Sequence, residues 1–219
     1  MPSKRNDRIT GHEYTAIDSA YNWFNEQLFG GRLPPCLITL QRKSRSRGYF
    51  ANDRFGHRLN IGDLTDELAL NPDTFAGLSD KEILSVLVHE MCHCWQQYCG
   101  KPSRTGYHNR EWAAKMVEVG LMPSDTGADG GKRTGQHMTH YIVEGGPFDR
   151  AAESLLKTAF RLNWQSVALG EKPRPKGTSK VKYTCPTCGQ NAWAKPEASL
   201  VCGECMEPMA AQDTSDVPL

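Results

Sequence analysis

Hydrophobic positions recur at helical spacing in four stretches of the chain, residues 12–29, 79–98, 109–119 and 147–169. Each stretch therefore predicts an α-helix. The helix over 79–98 carries apolar residues over a wide arc, so we expect it to be buried. Ser79 and Glu82 match the capping box S-x-x-E immediately before this apolar run, which predicts where the helix begins.

Shorter apolar runs predict strands at 37–40, 47–51 and 57–61, with a turn-rich hairpin connection over 52–56. We expect these strands to form a small antiparallel sheet beside the helices. Residues 123–136 are rich in Gly, Asp, Ser and Thr and predict a surface loop. The expected class is α+β.

The distribution of Pro and Gly divides the chain. We expect a main domain over 12–169, a linker over 170–182 that contains several Pro and Gly residues, and a small cysteine-containing module over 183–210.

The most informative motif lies in the predicted helix 79–98. His89 and His93 are four residues apart, so they share one helical face. Two imidazoles in this arrangement can bind one Zn²⁺, and Glu90 between them can act as general base toward a water on that metal. The alternative is a pair of core histidines that donate to backbone carbonyls.

A catalytic zinc site usually has a third protein ligand. His108 is the candidate, because it follows a Gly-containing loop and precedes Asn109, a plausible N-cap of the next helix. The alternative role of His108 is a surface histidine at a helix start. His137 and His140 are rival ligands, and we expect them to support a ligand or to face the substrate.

The last module contains two C-x2-C pairs separated by thirteen residues. This spacing is typical of a zinc ribbon, in which four thiolates close the shell of a structural Zn²⁺. Two disulfides are the alternative. Gly189 and Gly203 are expected in tight turns, and Trp193 and Leu200 are expected to pack the hairpin. The predicted ligands are Cys185, Cys188, Cys202 and Cys205.

The other cysteines are expected to be small buried hydrophobic residues: Cys36, Cys92, Cys94 and Cys99.

Several ordered motifs resemble the SprT-like zinc metalloprotease family. They lie at 88–93 (VHEMCH), 106–112 (GYHNREW), 24–34 (FNEQLFGGRLP) and in the region from Gly48 to 59–61 (LNI). The resemblance is strongest over 12–120. It implies a zincin-like core in which His89, His93 and His108 hold zinc and Glu90 is the catalytic base. The family includes Spartan, which cleaves proteins crosslinked to DNA, and bacterial SprT proteins, so the resemblance implies protein substrates and DNA as a partner.

The formal net charge is +1, so the chain as a whole does not attract polyanions. Local cations next to aromatic residues can still bind nucleic acid. One such cluster precedes Tyr49 and Phe50, and a second precedes Tyr183. The clusters are Arg42, Lys43, Arg45 and Arg47, and Lys172, Arg174, Lys176, Lys180 and Lys182. Both can instead be solvated surface segments.

We find no long apolar run and no apolar core of a signal sequence, which leads us to expect a cytoplasmic protein with no membrane partner. The leading hypothesis is a zinc endopeptidase with one catalytic and one structural Zn²⁺. The alternative is a zinc-binding nucleic-acid or stress- and transcription-associated protein with little peptidase activity. Candidate donors to the oxyanion are Tyr107, His137, His140 and Tyr141.

Overall fold

The computed structural model describes residues 8–43, 46–167 and 180–212 of the 219-residue chain. The chain divides into two compact units, Met1–Ala168 and Leu169–Leu219. Among the described residues, every helix is too short or too polar to cross a membrane.

The described part of the first unit contains four α-helices: α1 (Ile9–Phe29), α2 (Asp80–Cys99), α3 (Arg110–Glu118) and α4 (Pro147–Leu156). The capping box predicted for α2 is confirmed, because the Ser79 hydroxyl accepts from the Glu82 N–H and the Glu82 carboxylate accepts from the Ser79 N–H. Asn109 caps α3 as predicted.

The prediction that α4 extends to residue 169 is wrong. The helix ends at Leu156, and the chain then runs back along α1. The buried carboxylate of Glu13 accepts from the N–H groups of Asn163 (3.1 Å) and Trp164 (3.3 Å). These tertiary hydrogen bonds replace the intrahelical bonds that the periodic pattern predicted.

A three-stranded sheet lies in the first unit, built from β1 (Leu37–Leu40), β2 (Gly48–Gly56) and β3 (Leu64–Leu70) in the order β1-β3-β2. The α+β class is confirmed, but the sheet is mixed rather than antiparallel. β2 forms a hairpin with β3, whereas β1 runs parallel to β3, with Leu37 paired to Glu67.

The strand predicted over 57–61 and the hairpin connection predicted over 52–56 are both wrong. β2 continues to Gly56, and residues 57–61 form part of the turn between β2 and β3. The ring of His57 accepts from the N–H groups of Leu59 and Asn60 and so holds the turn, and Leu59 is 86% exposed. The true strand, β3, was missed because the buried acids Asp66 and Glu67 interrupt its apolar pattern.

A second hairpin joins β4 (Leu121–Ser124) to β5 (Thr139–Ile142), with Pro123 opposite His140. The loop predicted over 123–136 therefore begins inside β4. The hairpin follows α3 directly and carries His140 back toward α2.

The core of the first unit forms where α1, α2 and α4 pack together and against the sheet. The rings of Phe24 and Phe148 stack with their centroids 5.5 Å apart, and Leu87, Val88 and Met91 of α2 are fully buried. Each such side chain stabilises the fold by about 1.5–3 kcal/mol. Because its apolar side chains are held in this core, α2 presents its histidines from a fixed backbone.

The second unit is an antiparallel three-stranded sheet in the order β7-β6-β8, with β6 (Val181–Thr184), β7 (Asn191–Ala194) and β8 (Ala210–Ala211). Most of the linker predicted over 170–182 lies outside the described residues, and its last two residues belong to β6.

Candidate active site

α2 places His89 and His93 one turn apart on a single face, with ring centroids separated by 5.3 Å. His89 is 7% exposed and sits within the buried part of the helix. Burial lowers the pKa of His89 well below its usual value and lowers that of His93 to about 3. Both imidazoles are therefore neutral at physiological pH, which is the form that binds a metal.

His108 reaches this pair from the start of α3. Its backbone exchanges two hydrogen bonds with Gly135, from the His108 N–H to the Gly135 carbonyl (2.8 Å) and from the Gly135 N–H to the His108 carbonyl (3.1 Å). The Gly135 carbonyl also lies 3.2 Å from His108 Nδ1 and can only accept, so Nδ1 carries the proton. Nε2 is therefore the nitrogen with a free lone pair.

The end of α2 is tied to the start of α3 by side-chain amides. Gln96 donates to Asn109 (2.7 Å) and to Glu111 (2.9 Å), while Asn109 caps α3 by accepting from the Trp112 N–H. This network fixes the position of Asn109, the residue that follows His108. One ligand atom from each histidine can be chosen so that all three lie within 4.8 Å of one another.

Trp112 forms the floor of the histidine cluster. It is fully buried, it stacks on His93 at 5.2 Å, and it meets His89 (4.9 Å) and His108 (4.3 Å) edge to face. Its packing restricts the rotation of all three imidazoles. The sequence placed Trp112 on the apolar face of α3 but did not reveal this contact.

His140 stands behind His89. Its Nδ1 lies 3.2 Å from His89 Nδ1, its Nε2 lies 2.8 Å from the Ser85 hydroxyl, and that hydroxyl donates to the Glu82 carbonyl (2.7 Å). Since the Ser85 proton is already used, the hydroxyl accepts from His140 Nε2–H. His140 Nδ1 is then an acceptor, and His89 must donate to it from Nδ1–H.

This chain of hydrogen bonds leaves Nε2 of His89 free for a metal. Burial lowers the pKa of His140 to about 4, so the ring is neutral, as the proton count requires. The sequence does not distinguish His140 from His137, whereas their positions in the structure differ. His140 contacts His89, and His137 is exposed on the connecting loop.

Glu90 points away from the apolar core into a narrow space beneath β2. Burial raises the pKa of its carboxyl to about 8, partly offset by Lys43 and by the backbone N–H of Phe50. A Cβ on Gly48 would lie 3.0 Å from the Glu90 side chain and 2.8 Å from the Ala69 carbonyl. Only glycine fits where β2 passes this carboxylate.

The three histidines and Glu90 all line one cavity of 720 Å³, a size typical of ligand sites. β2 forms one wall, and the segments 102–108 and 136–140 form the other. Of the candidate oxyanion donors, Tyr107, His137 and His140 line the cavity. Tyr141 instead donates to Asp129 (3.1 Å) and lies outside the lining.

The four cysteines of the second unit converge, as the C-x2-C pairs predicted. The two pairs form equivalent turns, because the Gly189 N–H donates to the Cys185 carbonyl (3.0 Å) and the Met206 N–H donates to the Cys202 carbonyl (2.8 Å). The N–H of Cys188 lowers the pKa of the Cys185 thiol to about 7, which favours a metal-binding thiolate. This cluster can hold a metal.

Gly189 adopts a left-handed conformation (φ 73°) at the end of the first turn, and Gly203 lies in the turn of the second pair, as predicted. One detail of the predicted ribbon is wrong. Trp193 does not pack the hairpin, because its position on β7 faces solvent and its side chain is 62% exposed.

The basic clusters are described only in part. Arg42, Lys43 and Arg47 are exposed; Lys43 covers the ring of Tyr49 at 4.2 Å, and Arg42 pairs with Asp73 at 3.5 Å. Lys180 is exposed beside β6, and Lys182 is half-buried on β6. The remaining members lie outside the described residues: Arg45, Lys172, Arg174 and Lys176.

Comparison with known proteins agrees with this geometry. The model of the SprT-like family matches residues 17–134, more than half of the chain. A Salmonella typhimurium protein described as an uncharacterized protein in the mucB 3' region is 48% identical over 59 residues, which cover 27% of this chain and 78% of that protein. No solved structure matches. The matched residues include the three-histidine cluster and Glu90, and the chain belongs to the SprT-like family.

Proposed function

We propose that this protein is a zinc-dependent endopeptidase. The observation that carries the proposal is the convergence of His89, His93 and His108 with a buried glutamate, Glu90, in one cavity. Metal binding alone would require the histidines. It would not require a buried carboxylate next to them, because burying a carboxylate costs desolvation free energy.

The donor set fits Zn²⁺. Three neutral imidazoles that leave one coordination position open are typical of catalytic zinc sites, and neighbouring groups orient His89 and His108 so that Nε2 of each is free. When bound, zinc would supply a Lewis acid that acidifies water and polarises a carbonyl.

Glu90 supplies the proton transfers. Its carboxylate accepts a proton from the attacking water and later donates it to the amine that leaves. A group with both tasks works best when its pKa lies near the working pH, and burial moves the pKa of Glu90 in that direction, to about 8.

β2 is suited to hold the substrate. Within the described residues it pairs with β3 on one side only, and Gly48, Tyr49 and Phe50 line the cavity. An extended peptide can therefore add to this strand through backbone hydrogen bonds, which do not depend on the substrate's sequence. We expect cleavage of unfolded or extended protein segments.

Cleavage of an unfolded protein such as casein tests the proposal. Glu90→Gln is expected to retain its metal and lose about 10²–10⁴-fold in rate, the usual contribution of a general base. Glu144→Gln, which alters an exposed glutamate, is the matched control and should cleave like the wild type. Equal rates for Glu90→Gln and the control would refute the peptidase and leave the alternative of a zinc-binding protein without this activity.

DNA is the proposed partner of the second unit. On its sheet, Lys182 pairs in register with the exposed Trp193, which places a cation beside an aromatic surface. Such pairs bind phosphates and stack on unpaired bases.

Gel-shift titration with single-stranded DNA tests this proposal. Trp193→Ala should weaken binding by about 1–3 kcal/mol, as expected for the loss of one stacked base. Trp164→Ala removes an exposed tryptophan of the first unit and serves as the control. If the two variants bind DNA equally, Trp193 has no role in DNA binding.

A further inference from the structure

A second group of potential metal ligands lies in the first unit, formed by Cys36, Asp66 and Cys94. Cys36 immediately precedes β1, Asp66 is on β3, and Cys94 follows His93 on α2. One ligand atom from each lies within 4.8 Å of the others. None of these residues lines the active-site cavity.

Among the described residues, the buried carboxylate of Asp66 has hydrogen-bond donors beside it but no cation. Asp66 is 2% exposed, and among the described residues its carboxylate forms no ion pair with Lys, Arg or His. Burying a carboxylate without a cation costs several kcal/mol in general. A divalent cation at this position would remove that cost.

The contacts of Asp66 orient it without using all of its acceptor capacity. One oxygen accepts from the Tyr98 hydroxyl (2.7 Å) and the other from the Asp53 N–H (2.9 Å). Each carboxylate oxygen has a second lone pair that can bind a metal. Outer hydrogen bonds of this kind are what hold metal-binding carboxylates in place.

The two sulfur atoms are 3.9 Å apart. A disulfide requires about 2.05 Å, so the observed spacing is not that of a bond. Two thiolates that each lie about 2.3 Å from one tetrahedral zinc are about 3.8 Å apart, which matches the observed distance. In the second unit, Cys188 and Cys202 show a similar spacing of 3.6 Å.

Cys36 is the accessible member of the group. It is half-buried, and its sulfur lies 3.5 Å from the Tyr21 hydroxyl and 3.6 Å from the Pro34 carbonyl. The contact between the two sulfurs lowers the pKa of the Cys36 thiol and raises that of the Cys94 thiol, as expected for two thiols that share one proton. Cys94 itself is fully buried.

We propose that Cys36, Asp66 and Cys94 form a third metal site, which binds a thiophilic divalent cation such as Zn²⁺. The ion connects α2 to β1 and β3. Its ligand on α2 is Cys94, the residue that follows His93. Its role is structural, since it fixes the helix that carries the pentad against the sheet that forms the cavity wall. The site is independent of the proposed peptidase chemistry.

Zinc counting on the full chain tests the proposal. After loading in the presence of a phosphine reductant and removal of excess metal, wild type should hold about three zinc ions, from the histidine, four-cysteine and new sites. Cys36→Ser and Asp66→Asn should each hold about one ion fewer and unfold at a lower temperature. Cys99→Ser should match the wild type, because Cys99 at the end of α2 is exposed; the prediction that this cysteine is buried is wrong.

Native mass spectrometry of the wild type gives the same count without any substitution. Equal counts in Cys36→Ser, Asp66→Asn and Cys99→Ser would overturn the third site whatever the total, because the total also depends on the histidine site. A disulfide between Cys36 and Cys94 that survives in zinc-loaded protein, detected by alkylation and peptide mapping, would overturn it as well.

Discussion

Replacing His140 tests whether this residue orients the metal-binding His89 or instead contacts the substrate directly. His140→Ala removes the acceptor of His89 Nδ1–H (3.2 Å) and the donor to the Ser85 hydroxyl (2.8 Å). A buried donor without a partner costs about 1–3 kcal/mol. Losing such a partner of a metal-binding histidine usually weakens metal affinity about 10–100-fold, which corresponds to about 1.4–2.8 kcal/mol.

The assay is a competition for zinc between the protein and a chelator of known affinity. His140→Ala should show the loss at one zinc ion only, whereas His137→Ala, an exposed histidine three residues earlier, should bind like the wild type. His140→Asn keeps an acceptor near the position of Nδ1 and should recover part of the affinity. Equal zinc affinity in His140→Ala and His137→Ala would refute the proposed orientation of His89.

Three further predictions concern the surroundings of the site. Gly48→Ala should retain zinc but cleave more slowly, because its Cβ would press on Glu90 and the Ala69 carbonyl; an unchanged rate would show that β2 can move aside. Metal-depleted protein should lose stability to urea as the pH falls from about 6.5 toward 4. In this range His93 and His140 bind protons in the unfolded chain but stay neutral in the folded chain, where they are buried. Each histidine contributes a slope of about 1.4 kcal/mol per pH unit. Glu90, whose raised pKa lets the folded chain bind its proton first, contributes one such slope of opposite sign above about pH 4.5, so a net loss of stability remains. A flat or opposite profile would contradict the burial of the histidines as neutral rings. Asn109→Ala should cost about 0.5–2 kcal/mol of stability as a lost N-cap, measured by thermal unfolding, and an unchanged melting temperature would contradict its role.

Local sequence signals predicted the helices that carry the motif. The capping box at Ser79 and the N-cap at Asn109 are encoded within one turn, so the beginnings of α2 and α3 followed from the sequence. The cysteine pairs of the second unit are also local, and their convergence was predicted from spacing alone.

Features that depend on distant contacts could not be predicted. β3 carries buried Asp66 and Glu67, whose hydrogen-bond partners lie far away in the sequence, such as Tyr98 for Asp66 and Thr39 for Glu67. The shortened α4 depends on Glu13, about 150 residues earlier. The position of His140 behind His89 requires the β4–β5 hairpin, which sequence analysis missed. In each case the deciding partner lies outside any local pattern.

We propose above all that peptide-bond cleavage requires a metal held by His89, His93 and His108. The most direct measurement is the cleavage rate of casein by metal-depleted protein as zinc is added back, in wild type and in His108→Ala. We predict that wild-type activity returns with zinc and that His108→Ala stays inactive while the four-cysteine site still binds its ion. Cleavage by the metal-depleted wild type at the rate of the zinc-loaded protein, or full recovery by His108→Ala, would contradict the account.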